Sequence, residues 1–245
     1  MSVTQVFTVQ PQVLGGTVVS IEADLSRGLH SFSIVGLAGK AIEEAKDRVS
    51  TAIKHSGFDS PKSQNHKIVI SLAPADLKKE WPLFDLPIAI AYLLTAGVMS
   101  TDSTKRILIG ELALSGELRP VRGVLSIVQT AQKAGFTEVI VPTGNAAEAA
   151  LITGITIYAA KDLQEVIYHI DTTHVEHKKL APTPVTVMGE DWHDSTVLLE
   201  DIKGQETAKR ALIIAAAGRH NVILVGPPGT GKTMLARAFQ GMLPP

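Results

Sequence analysis

Apolar and polar residues alternate from Val18 to Leu25, with Val19, Ile21, Ala23 and Leu25 on one face and Val18, Ser20, Glu22 and Asp24 on the other. A period of two predicts a half-buried strand. After a turn at Arg27-Gly28, Ser31–Val35 alternates again and predicts an antiparallel partner ending at Gly36. Between Lys40 and Ser56 the period changes: Ile42, Ala45, Val49, Ala52 and Ile53 recur at helical spacing, and Gly57 stands where a C-terminal cap belongs. Glu43, Glu44, Lys46, Asp47 and Arg48 then form the solvated face of that helix.

Lys67–Leu72 is the next strand, closed by Ala73-Pro74. Phe84–Leu94 is almost wholly apolar and predicts a buried helix, with Asp85 as its N-cap and Pro87 in its first turn. Ile107–Leu114 and Glu117–Val121 read as a hairpin turning at Ser115-Gly116, and a helix runs from Val124 to Ala134 before Gly135. Val139–Val141 and Ile155–Tyr158 are short strands. Each precedes a helix, one opened by Asn145 with Glu148 and one by Asp162 with Glu165, the latter running to His169. Strand and helix alternate here, which favours parallel pairing.

Periodicity fails between Asp171 and Asp194, where His174, His177, Lys178, Lys179, Pro182 and Pro184 suggest an exposed linker. His174 and His177 beside Glu176 could bind a metal, but the stretch lacks a framework to orient ligands, and a disordered polar linker is the preferred reading. From Leu199 a second unit begins, with a helix from about Glu206 to Ala217 capped by Gly218. The apolar run Asn221–Val225 then enters Gly226-Pro227-Pro228-Gly229-Thr230-Gly231-Lys232-Thr233.

Strand, G-x-x-x-x-G-K-T and helix in that order make a phosphate-binding loop. Glycines at 226, 229 and 231 let the backbone curl and turn its N–H groups inward. Lys232 supplies a charge for the β- and γ-phosphates, Thr233 a hydroxyl for the accompanying Mg²⁺, and the helix its positive dipole end. ATP and Mg²⁺ are the expected cofactors. No catalytic residue is assigned.

Composition narrows the setting. Among 245 residues there is no cysteine, which excludes disulfides and thiolate metal sites and fits a reducing compartment. The N-terminus lacks a signal-like apolar core, and no apolar run approaches the ~18 residues of a bilayer span. A cytoplasmic protein without a membrane partner is expected. The net charge of −1 gives no general bias towards nucleic acid, so DNA contact needs a local face such as Lys62, Lys67, Lys78, Lys79, Arg119 and Arg122, unless these are scattered solvated charges.

The run GQETAKRALIIAAAGRHNVILVGPPGTGKT resembles the opening of an AAA+ ATPase module of the magnesium-chelatase type. Upstream, GLHSFSIVGL, EEAKDRVSTAIKHSGF, ISLAPADLKKE, FDLPIAIAYL and GELALSGELRPVRGVL resemble the N-terminal half of the ComM/YifB family of bacterial magnesium-chelatase-like AAA+ proteins. The resemblance implies an α/β fold: a Lon-protease-type domain over residues 1–171, a linker over 172–196, and the first strand, loop and helix of a P-loop AAA+ domain over 197–245. It also implies a homo-hexameric motor working on single-stranded or branched DNA, as in branch migration during natural transformation. A chelatase-type ATPase subunit and a non-catalytic assembly platform are the alternatives. Lon proteases carry a catalytic Ser in G-P-S-A-G and a Lys after a G-x-L hairpin, whereas this chain has Leu83-Phe84-Asp85-Leu86 and Gly123-Val124-Leu125; no peptidase activity is expected. The sequence stops 12 residues after Thr233, so the acidic Walker-B pair, sensors and arginine finger expected of such a motor do not follow. Read this way the chain is a fragment of a longer ATPase or a truncated product, without hydrolysis of its own.

Overall fold

The structure, a computed structural model, describes residues 4–12, 15–63, 65–77, 79, 81–174, 176–187 and 197–243. It divides into two compact units, 1–186 and 187–245.

The first unit is mixed α/β. In chain order it contains β1 (Thr4–Pro11), β2 (Gly16–Arg27), β3 (Ser31–Val35), α1 (Lys40–His55), β4 (His66–Ala73), α2 (Asp85–Thr95), β5 (Arg106–Leu108), β6 (Glu111–Leu112) and β7 (Leu118–Arg119). It continues through α3 (Val124–Lys133), β8 (Glu138–Pro142), α4 (Ala146–Ala149), β9 (Thr156–Ala160) and α5 (Leu163–Ile170). Seven strands form one sheet in the order β3-β4-β2-β1-β5-β8-β9, while β6 and β7 make a separate antiparallel hairpin. Pairing is parallel except for β1–β2 and β2–β4.

Several expectations change in detail. Strand β3 does run opposite to β2, but its neighbour is β4, to which it is parallel in the register Ser31↔Lys67 to Val35↔Ser71. Both edges of β2 are already taken, by β1 and β4, which leaves β3 the outer place. Gly36 permits that place: its φ is +104°, and a Cβ there would lie 2.1 Å from the Leu72 carbonyl oxygen. The predicted 107–121 hairpin splits, because Arg106–Leu108 joins the main sheet between β1 and β8 and leaves the Glu111–Arg119 stretch to turn at Gly116.

Two helices show how the core is set. In α1 the predicted apolar face Ile42, Ala45, Val49, Ala52 and Ile53 is buried. Arg48 leaves the solvated face, donating from Nε and Nη2 to Asp85 Oδ2 and Oδ1 at 2.8 and 3.0 Å. Asp85 is therefore not an N-cap. It is the first residue of α2, preceded by Phe84 at the cap position, and its side chain is 1 % exposed. From Asp85 to Leu93 every residue of α2 is buried, as its unbroken apolar run implies. Asn145 likewise does not cap α4 through its side chain, which instead exchanges two hydrogen bonds with the Val121 backbone. Asp162 does cap α5, accepting from the Glu165 amide at 2.8 Å.

The stretch after α5 stays on this unit. Thr172 donates to Ser100, Thr183 to Ile157 and Thr186 to Ala150, all backbone to backbone, and Pro182 bridges to Tyr158. The chain thus runs beside β9 and covers that sheet edge.

The second unit holds a single turn at Leu199–Asp201, α6 (Glu206–Gly218) and α7 (Lys232–Gln240). Ile202, Leu212, Leu235 and Ala238 form its core. Residues 221–225, expected as a strand, enter no ladder among the described residues, and Ile223 and Val225 are each 86 % exposed. A strand is defined by its neighbours, and no other strand of this unit lies among the described residues. No helix among the described residues is long and apolar enough to cross a membrane.

Candidate nucleotide-binding site

The loop between α6 and α7 is bounded by elements that the small core ties together. Leu212 of α6 packs with Leu235 and Ala238 of α7, so the two helices flank Gly226–Gly231. Gly229 and Gly231 both have φ of +80°, with no heavy atom within 4 Å of the position a Cβ would take. The backbone conformation selects glycine there, and the space beside it is open for a ligand.

Lys232 is the first residue of α7 and folds back over the loop. Its Nζ donates to Gly226 O at 2.8 Å, Pro227 O at 2.6 Å and Thr230 Oγ1 at 3.3 Å. Thr230 Oγ1 donates to Pro227 O at 3.0 Å, closing the curl. The ammonium is thus held at the mouth of the loop by neutral acceptors alone. Gly231 precedes α7 without a side-chain cap, so the first N–H groups of the helix remain available to an anion. Thr233 is exposed in the first turn of α7. Pro228 is exposed beside the loop.

All eight residues of the predicted motif therefore share one loop and helix start. One contact had no clear signal: Gln205 Nε2 reaches Thr230 O at 3.4 Å, from a residue in the left-handed region just before α6.

The positions compared with a Lon-type Ser and Lys carry different chemistry in the fold. Leu83, Phe84 and Leu86 are buried, Leu125 is 42 % exposed, and Asp85 accepts from Arg48 and from the Leu112 amide at 3.2 Å. Burial pushes the Asp85 carboxyl up to about 6, against the opposing pull of Arg48 and the Leu112 amide. The basic face lacks Lys79. Lys79 is fully buried, with Nζ donating to the carbonyl oxygens of Gly36, Leu72 and Pro74, and burial lowers its pKa. Lys62 pairs with Asp47 and Arg119 with Glu111, while Lys78 lies outside the described residues.

Comparison with known proteins agrees with this arrangement. The family described as subunit ChlI of Mg-chelatase matches residues 21–145, and that described as magnesium chelatase, subunit ChlI, matches residues 198–245. The competence protein ComM of Haemophilus influenzae is 41 % identical over 246 aligned residues, covering 100 % of this chain and 47 % of the relative. The chain belongs to the ComM/YifB family. YifB of Salmonella typhimurium is 43 % identical over 228 residues, 93 % of this chain and 43 % of its own length. A Lon protease of Koribacter versatilis is 25 % identical over 190 residues, 72 % of this chain and 23 % of the protease. The chain thus spans a little under half the length of the ComM and YifB relatives. With the mixed seven-stranded sheet, these similarities fit a Lon-type N-terminal domain followed by the start of an AAA+ module.

Proposed function

We propose that Gly226–Thr233 binds the phosphates of ATP with Mg²⁺, and that this ComM-like architecture serves a cytoplasmic hexameric motor that remodels or translocates DNA. The observation carrying the nucleotide reading is the open glycine loop with Lys232 folded into its mouth at the start of α7. Gly226, Gly229 and Gly231 admit the phosphates to the backbone N–H groups, with Pro227, Pro228 and Thr230 shaping the curl. Lys232 faces the β- and γ-phosphates, and Thr233 offers its hydroxyl to the metal. When bound, ATP with Mg²⁺ supplies a transferable phosphoryl group; these residues hold and orient it. The domain division 1–171, 172–196 and 197–245 is part of the proposal, with the segment up to Thr186 accompanying the first unit.

DNA as the substrate rests on family membership and on the word competence in the name of the Haemophilus influenzae relative. A second reading concerns the first unit. Buried Lys79 and the paired Lys62 and Arg119 remove charges that a DNA-facing surface would use, which favours an assembly role for that unit and leaves DNA to the motor. A chelatase-type subunit remains the alternative within the same wider family. The test is a chimera in which this chain is continued by the C-terminal half of the Haemophilus influenzae relative. Forked or single-stranded DNA is expected to stimulate its ATPase activity; unchanged turnover with every DNA tried would overturn the DNA reading.

A further inference from the structure

Beyond the phosphate loop, the end of α5 brings together two imidazoles and a carboxylate. Asp171, His174 and His177 each offer one ligand atom, and these atoms lie within 4.8 Å of one another. The carboxylate is held from behind: Asp171 Oδ1 accepts from the amides of Ser100 at 3.2 Å and Thr173 at 3.0 Å, and from Thr173 Oγ1 at 2.8 Å. Its backbone is pinned as well, since Lys179 Nζ donates to Asp171 O at 2.8 Å and Thr172 donates to Ser100 O. Oδ2 accepts from Thr173 Oγ1 at 2.9 Å and faces His174 Nδ1 at 2.7 Å. The framework missing from a polar linker is present, and it comes from the Ser100 loop, 71 residues earlier in the chain.

His177 is the second, independent observation. Its ring lies tilted at 35° against Tyr168 with centroids 4.0 Å apart, and stacks at 18° on the His174 ring, 5.0 Å away. Its Nδ1 is buried and has no hydrogen-bond partner. An Asp–His pair that merely terminates α5 explains the 2.7 Å contact but leaves this nitrogen unexplained, and an unsatisfied buried polar atom costs about 1–3 kcal/mol. A cation bound between the three groups would satisfy it.

We propose that Asp171, His174 and His177 form a site for a borderline divalent transition-metal ion of the Zn²⁺ type, fastening the chain leaving α5 to the Ser100 loop. Two imidazole nitrogens and one carboxylate oxygen are a common zinc donor set, with a water in the fourth position. Tetrahedral coordination at bond lengths near 2.0–2.1 Å separates ligand atoms by ~3.4 Å. The Asp171–His174 contact must therefore open slightly and His177 move inwards, while Ser100 and Thr173 keep the carboxylate aimed as outer-shell partners. Hard Mg²⁺, which prefers oxygen, is not the cation for this set.

The test uses the full chain, stripped of metal and free of nucleotide, titrated with Co²⁺ and then Zn²⁺. One equivalent of Co²⁺ should give the visible absorption of a four-coordinate site, and Zn²⁺ should bleach it. His177→Ala and His174→Ala should each weaken Zn²⁺ binding by about 100-fold, the upper end of losses seen even for outer-shell changes. His220→Ala, on the second unit, should leave it unchanged. If either site variant fails to fold, X-ray absorption on the unaltered zinc-loaded chain decides the question by counting imidazoles. Two imidazoles support the site. Fewer than two, no four-coordinate cobalt spectrum, or Zn²⁺ affinity unaffected by His177→Ala would overturn it.

Discussion

Arg48 and Asp85 are 37 residues apart, and their pairing decides what the N-terminal end of α2 can be. The Asp85 side chain is 1 % exposed and that of Arg48 21 % exposed, joined by two hydrogen bonds, with Arg48 also donating to Ala41 O at 3.0 Å. Replacing Arg48 by Met leaves a buried carboxylate facing no cation, and breaking one side of such a pair costs about 3–5 kcal/mol. The pH dependence follows from the pKa, raised from 3.8 to about 6 chiefly by burial. A carboxyl whose folded pKa is raised binds its proton more tightly in the native state. Its contribution to stability is complete below pH 3.8 and is lost as pH rises through about 6. Without Arg48 the charged form loses its main support, so Arg48→Met should cost much more at pH 8 than at pH 5. Asp85→Leu in the same chain should restore most of the loss. Denaturant unfolding of the variants at both pH values tests this: equal losses at the two pH values would refute the burial argument. The same geometry gives Asp85 a structural partner where a Lon-type site would place a nucleophile.

The edge strand β9 and the stretch covering it illustrate a dependence that belongs to elements. His169 of α5 lies against Tyr158 of β9, ring centroids 4.2 Å apart, and its Nδ1 accepts from the Leu180 amide at 3.0 Å. That contact requires a neutral nitrogen. Burial, reinforced by the positive charge of Arg106, lowers the pKa from 6.5 to about 4. A histidine kept neutral by folding contributes stability above pH 6.5 that is lost as pH falls through about 4. Hydrogen exchange at the Leu180 and Thr183 amides should accelerate on acidification relative to the intrinsic rate, and His169→Gln, whose amide oxygen is a neutral acceptor, should abolish that acceleration. An identical response in both proteins would show that His169 does not hold the stretch. None of this was visible as a pattern, since the stretch from Asp171 onward shows no period, and its partners Ser100, Ile157 and Ala150 are distant in sequence. Elements whose signal is local were legible: α1 and α2 from their burial faces, and α5 from the Asp162 cap. Strand β1 was not, because buried Thr8 and Gln10 interrupt the apolar alternation of a central strand. The partner of β3 also escaped, because alternation marks a strand and its faces but says nothing of which neighbour it takes.

At the scale of the molecule, the signal for the proposed phosphate loop at Gly226–Thr233 is local, yet the support such a loop needs is not. A phosphate loop works when the strand before it is fixed in a sheet and the helix after it is packed, so that the N–H groups stand in place before the ligand arrives. Here α7 is packed through Leu235 and Ala238. Residues 221–225 have no strand partner among the described residues, and the flanking apolar side chains Ile213 and Ile214 of α6 are also more than half exposed. Part of the binding energy must then go into ordering the loop. We expect this chain to bind ATP with Mg²⁺ weakly, at least about tenfold less tightly than the chimera continued by the C-terminal half of the Haemophilus influenzae relative, a gap of about 1.4 kcal/mol. We expect the added half to supply strands that pair with 221–225 and cover Ile223 and Val225. In the chimera, Lys232→Ala should lose nucleotide affinity, since the β- and γ-phosphate charge is left without its lysine. Calorimetry on the two lengths separates the claims. Equal affinity in both would show that the unpaired run does not limit the loop, and an unchanged affinity on Lys232→Ala in the chimera would remove the loop's assignment to nucleotide altogether.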